Sequence, residues 1–214
     1  MSFDSFHAFI DTNALVKVVY AVTLHRRLAR PKPRILGYLE TRKLVFYTDE
    51  AVLRELSHVA LPKLLSSVDR EKHGWSNVDV NLMREYCISE LSYMINSRYV
   101  RVVEDEESLK RRGLREVAVC FRGDVMDRVV GGISEEDIDI VNSLLYAYDI
   151  IATALRGRAG MIKGTLLFIT DDKDLRNAVE NSLACEACAC GGKIVAVSYV
   201  EFKQKLRQLI TSGQ

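Results

Sequence analysis

Two apolar runs in this chain stop abruptly at acids, and that pairing limits the fold more than any other feature of the sequence. The first carries Phe6, Ala8, Phe9 and Ile10 and ends at Asp11-Thr12-Asn13. Such a run reads as a buried strand, and Asp-Thr-Asn is capping chemistry, so a helix is expected to begin near Ala14. The second, Thr165-Leu166-Leu167-Phe168-Ile169-Thr170, ends at Asp171-Asp172-Lys173-Asp174. Both sets of acids therefore fall at the carboxyl end of a strand. In an open parallel sheet that edge collects ligands, because the strands stop there and helices point their electropositive ends at the same crevice. Two strands that deliver carboxylates to one edge make a cluster of oxygen ligands suited to Mg²⁺ or Mn²⁺. Either motif alone reads equally well as a strand-to-helix turn with a solvated capping acid.

Composition narrows the class. The 214 residues allow one large domain, or a core of about 130 residues with a substantial insertion. A formal net charge of +1 provides no global electrostatic case for nucleic-acid binding, so any such case must come from local patches. No N-terminal segment has the order of a signal peptide and no apolar run approaches about 18 residues, so the expectation is a cytoplasmic protein without membrane contact. Three prolines fit long uninterrupted helices.

In chain order, a helical pattern from Ala14 to about Ala29 runs into the densest basic segment, Arg26, Arg27, Arg30, Lys32 and Arg34, opened by Pro31 and Pro33. It reads either as a solvated helix end or as a contact surface for a phosphate backbone. Helix is expected over Ile35–Glu40 and a short strand over Leu44–Tyr47. Thr48 reads as the cap of a helix that holds Val52, Leu53, Leu56, Val59 and Ala60 inward, with Glu55 about two turns in and able to reach back toward the strand edge. Asp49 and Glu50 are explained as first-turn acids. From Pro62 to about Gly132 the pattern loosens, with a helix over Val80–Asn96, a strand over Tyr99–Val103 and a solvated basic patch at Lys110-Arg111-Arg112. His73 and Trp75 flank a loop glycine without evident chemistry. A helix opens at Ser134-Glu135-Glu136-Asp137 and can run to about Arg158, a strand covers Ile194–Ser198, and a polar helix covers Val200–Ile210.

Four of these pieces, in this order, resemble the PIN domain, the nuclease fold of VapC-type toxins and of RNA-processing enzymes. They are Phe9-Ile10-Asp11-Thr12-Asn13, Val52-Leu53-Arg54-Glu55-Leu56, Tyr148-Asp149-Ile150-Ile151-Ala152-Thr153-Ala154-Leu155 and Phe168-Ile169-Thr170-Asp171-Asp172-Lys173-Asp174-Leu175. The resemblance implies an α/β/α sandwich around a central parallel sheet of four or five strands, one PIN-like domain over residues 1–214 enlarged by an insertion at about 62–132. It also implies a divalent-metal-dependent ribonuclease that hydrolyses single-stranded RNA. Carried over position by position, Asp11, Glu55, Asp149 and Asp172 are the catalytic and metal-binding acids, Asp174 an additional one, and Asn13 and Thr170 the polar residues that brace them. Mg²⁺ or Mn²⁺ is the expected cofactor. Arg26, Arg27, Arg30, Lys32 and Arg34 are the first candidates for substrate binding, with Lys173 and Arg176 second. An antitoxin or other protein partner and a homodimer stay open.

Asp137 competes with Asp149 as third acid, because a Ser-x-x-Asp context also occurs in the family. On one helix the two lie about 18 Å apart, so only one can belong to the cluster. A return helix from Asp149 to Arg158 spans about 14 Å against a strand of about 20 Å, whereas one from Asp137 spans about 32 Å and overhangs the sheet, which favours Asp149. Cys185, Cys188 and Cys190 read as buried thiols, a disulfide or three ligands of a structural zinc. The competing functional class is a catalytically silent PIN-fold scaffold that binds RNA or protein, against which stand acids at all four family positions. A phosphatase using an aspartate nucleophile would require Asp-x-Asp at the first strand end, where this chain has Asp11-Thr12-Asn13.

Overall fold

The first strand, β1 (Phe6–Ile10), buries Ala8, Phe9 and Ile10 completely, which requires cover on both faces and puts it in the middle of a sheet. A computed structural model describes residues 6–103, 165–173, 175–177 and 193–211. The elements that follow are α1 (Thr12–Leu28), α2 (Arg34–Glu40), β2 (Leu44–Asp49), α3 (Glu50–Glu55), a π turn (Leu56–Ala60), α4 (Leu61–Ser67), α5 (Arg70–His73), α6 (Val80–Asn96), β3 (Val100–Val103), β4 (Thr165–Ile169), β5 (Lys193–Val197) and α7 (Tyr199–Thr211). The strands form one sheet in the order β3-β2-β1-β4-β5. Every neighbouring pair is parallel, with Ala8 opposite both Phe46 and Leu167. The protein is therefore α/β, with an all-parallel five-stranded sheet flanked by helices.

This order sets the position of everything functional. The chain leaves β1 toward β2 and β3, while β4 and β5 lie on the other side of β1. The order thus reverses between β1 and β4, the position at which open α/β sheets form a crevice outside the carboxyl ends of their strands.

Local chemistry explains the elements. Asp11 caps α1, and α1 ends at Ala29, which is left-handed (φ 52°) just before the two prolines. Ala14, Leu15, Val18, Val19 and Val22 form its fully buried stripe. Trp75, placed in a loop by its sequence context, is a core residue whose Nε1 donates to the Tyr20 hydroxyl at 2.8 Å. Gly74 beside it is left-handed (φ 72°) and lies against the Arg30 guanidinium, so a Cβ there would collide.

Two expectations need correction. Thr48 does not cap α3: it is the fully buried fifth residue of β2, its hydroxyl donating to Ile10 O at 3.1 Å, and Asp49 caps the helix by accepting from Val52 N at 2.7 Å. Val59 is not inward but 55% exposed. The π turn adds a residue to the helical path, so the apolar stripe passes from Val52 and Leu56 to Leu61 and Leu65. Pro62 accounts for the turn, since it lacks an N–H and its ring would strike a carbonyl in a regular helix. Within the stretch 62–132, α6 and β3 fall where a helix and a strand were expected, and β3 pairs with β2 at the sheet edge. Residues 104–132, with Lys110 to Arg112, lie outside the described residues, as does the helix expected from Ser134.

Candidate functional site

The strand ends meet at the crevice. Extending the β1–β2 and β1–β4 registers by one or two residues places Asp49, Asp11 and Thr170 side by side on three adjacent strands. Asp11 is only 3% exposed. Its N–H continues the ladder to Ile169 O at 3.0 Å, while its carbonyl takes the amides of Ala14 and Leu15 in the first turn of α1. Its carboxylate is gripped from two sides, Oδ1 accepting from Thr12 N and Oδ2 from the Thr170 hydroxyl, each at 2.6 Å. Such short bonds to a carboxylate are charge-assisted and orient it firmly.

Two threonines carry the connections outward. The Thr12 hydroxyl donates to Glu55 Oε2 at 2.5 Å, so the acid at the end of α3 does reach back to the strand edge. Thr170, fully buried, accepts Asp172 N at 3.0 Å on the oxygen that donates to Asp11. Asn13 braces the same turn, Oδ1 accepting from Asp171 N at 2.8 Å and Nδ2 lying 3.5 Å from Thr170 Oγ1. Asp11 and Glu55 thus share one bridging residue, and the Asp172 backbone joins Asp11 through another. The Asp172 carboxylate itself is exposed and caps the helical residues that follow, Oδ1 accepting from Leu175 N at 3.0 Å.

No family model, curated protein or solved structure matches the chain. The geometry therefore carries the functional argument.

Beside the acids stands a group the sequence did not single out. Asp171 accepts from Lys17 Nζ at 2.5 Å and from Tyr199 N at 2.9 Å, tying β4 to α1 and α7. Burial pushes the Asp171 carboxyl up, but the Lys17 ammonium, the Tyr199 amide and Arg176 outweigh it and hold the group below the usual carboxylate range. Tyr199 is pushed up to about 12 by burial and by the Asp171 charge.

Among the described residues, no group of three or more His, Cys, Asp and Glu side chains is arranged to hold a metal ion, and no helix is long and apolar enough to cross a membrane. Asp149, Asp137, Asp174 and the cysteines at 185, 188 and 190 lie outside the described residues.

The basic segment is not at this edge. Arg26 stands fifteen residues after Asp11 along α1, about 22 Å away at 1.5 Å per residue. Arg26 and Arg27 bind the two oxygens of buried Glu90 at 3.0 and 2.8 Å. Arg30 donates to His73 O at 3.2 Å, Lys32 pairs with Glu40, and Arg34 is exposed at the start of α2. Of the cations named from the sequence, Lys173 and Arg176 are the ones beside the acids.

Proposed function

We propose that this chain is a divalent-metal-dependent ribonuclease with a PIN-type α/β/α sandwich, hydrolysing phosphodiester bonds of single-stranded RNA. The observation that carries the reading is the bridge Glu55–Thr12–Asp11–Thr170 at the point where strand order reverses. Buried Asp11 is held there by the Thr12 amide and the Thr170 hydroxyl, neutral donors that orient its carboxylate. That is the form of a hard-cation ligand with its outer shell already in place.

Asp11 and Glu55 would hold Mg²⁺ or Mn²⁺, joined by Asp172 and by Asp149, with Asp137 as the alternative for the latter. A bound divalent ion supplies Lewis acidity toward the phosphate and lowers the pKa of attacking water. The chain's own residues have defined tasks. Thr12 and Thr170 fix the carboxylates, Asn13 holds the turn after β4, and Lys17, Lys173 and Arg176 offset the repulsion between the acids and the substrate's phosphates.

The test is cleavage of unstructured RNA in Mg²⁺ or Mn²⁺ by wild type and by Asp11→Asn, with circular dichroism to verify folding. Loss of cleavage in a folded variant supports the reading. Equal cleavage by both would point to a contaminating nuclease, and no heat of Mn²⁺ binding to wild type in calorimetry would return the scaffold interpretation.

A further inference from the structure

We propose that the amino edge of the sheet, opposite the acidic crevice, is a second RNA-binding surface built from arginines laid over tyrosines. It begins at the end of α1. The Arg26 guanidinium lies 3.7 Å over the Tyr93 ring and that of Arg27 lies 5.4 Å from the Tyr86 ring, both rings being on α6. Tyr93 meets Tyr99 edge-on at 5.9 Å, and Arg42 lies 5.2 Å over Tyr99. Arg42 in turn donates to Arg98 O at 3.1 Å. These contacts form one unbroken chain from α6 to the turns that enter β2 and β3.

The turns indicate what the surface is for. After α2 the amides of Arg42 and Lys43 bond back to Leu39 O and Tyr38 O, and after α6 those of Arg98 and Tyr99 bond back to Ile95 O and Met94 O. Both are helix ends in which the residue at positive φ is ordinarily glycine. Here both positions hold arginine, each with φ 58°. Each turn thus places an exposed arginine at the amino edge, beside the arginine–tyrosine contacts.

Charge and shape match a single strand. Buried Glu90 is covered by Arg26 and Arg27, which leaves those three residues net positive, and Glu40 nearby is paired with Lys32. Arg26 keeps about a third of its side chain exposed, 36%, so a base can stack on its outer face while phosphates meet Arg42 and Arg98. The choice of RNA over another polyanion rests on the ribonuclease reading, and the surface would hold a stretch of strand remote from the bond being cut.

The experiment is fluorescence anisotropy with a labelled homopolymeric single-stranded RNA, in chelator, across a salt series. In the double variant R42G/R98G glycine suits both turns, so the melting temperature should hold or rise. Its affinity should fall at least tenfold, with the slope of log K against log salt flattened by about 1.4, as for two lost phosphate contacts on a single strand. Tyr93→Leu should weaken binding about fivefold with the slope unchanged, because stacking releases no counterions. Wild-type affinity and slope in both variants, or no binding by wild type, would overturn the proposal. Failure of the ribonuclease reading appears separately, as absence of metal-dependent cleavage by wild type, and leaves this binding measurement interpretable.

Discussion

Thr12 donates to both acids at the sheet edge, its amide to Asp11 Oδ1 at 2.6 Å and its hydroxyl to Glu55 Oε2 at 2.5 Å. Valine there keeps the shape and removes the hydroxyl. We predict that Thr12→Val weakens Mn²⁺ binding by about 10- to 100-fold in calorimetry, the usual effect of losing a partner that orients a metal ligand. An unchanged affinity would mean that Glu55 does not ligate. A second residue-scale prediction concerns His7, whose Nδ1 lies 3.2 Å from the Tyr47 hydroxyl. Burial, helped by the charge of Arg101, lowers its pKa from 6.5 to about 4. The folded state thus keeps His7 neutral where the unfolded chain protonates it, so stability falls as pH drops from 6.5 toward 4 and levels off below. The slope is at most about 1.4 kcal/mol per pH unit. Urea unfolding of His7→Gln should lose less stability than wild type between neutral pH and about pH 4.5, by about 2 kcal/mol at most. At this scale Asp11, Asn13 and Thr170 were legible because they stand where a strand ends and a helix starts. Thr12 and Lys17 were not, because their roles need α3 and β4 to be brought beside α1, which no local pattern encodes.

The helix that follows β2 shows how one residue reroutes an element. Pro62 has no N–H to offer, and Leu61 N bonds to Leu56 O, so Ser57 O is left without a helical donor. Arg84 on α6 fills the gap, Nη2 donating to Ser57 O at 3.1 Å. Arg84→Met should therefore cost about 1–3 kcal/mol in chemical denaturation, the penalty for an unsatisfied polar group. Adding Pro62→Ala restores an N–H to the turn and should recover part of that loss. If the two substitutions are simply additive, the turn is not the reason Arg84 matters. The strands were readable because a sheet buried on both faces demands continuous apolar runs, and β1, β2, β4 and β5 all have them. The π turn was not readable, because it depends on a proline whose cost is met by a side chain on another helix. Thr48 misled because threonine caps helices as readily as it occupies strands, and only pairing with Ile10 O decides between the two.

At the scale of the whole sheet, α1 shows how charge is divided between the two edges. It begins at the carboxyl edge with Asp11 as its cap and ends at the amino edge with Arg26 and Arg27 in its last turn, and Asp49 caps α3 at the same edge as Asp11. By register Asp11 and Asp49 stand side by side there, and Glu55 reaches Asp11 through Thr12. On the ribonuclease reading, a divalent ion that binds these acids only in the folded state raises the melting temperature increasingly with its concentration. At about 100 times its dissociation constant the gain is about 2.7 kcal/mol. We predict such a shift for wild type in Mn²⁺ after chelator treatment, and its absence in Asp11→Asn. Ca²⁺ serves as the control for general charge screening, because a small octahedral oxygen site and a flexible surface cluster of acids respond to it differently. Equal stabilisation of wild type and Asp11→Asn by both cations would show that the carboxyl edge merely attracts counterions and does not bind a metal at a defined position.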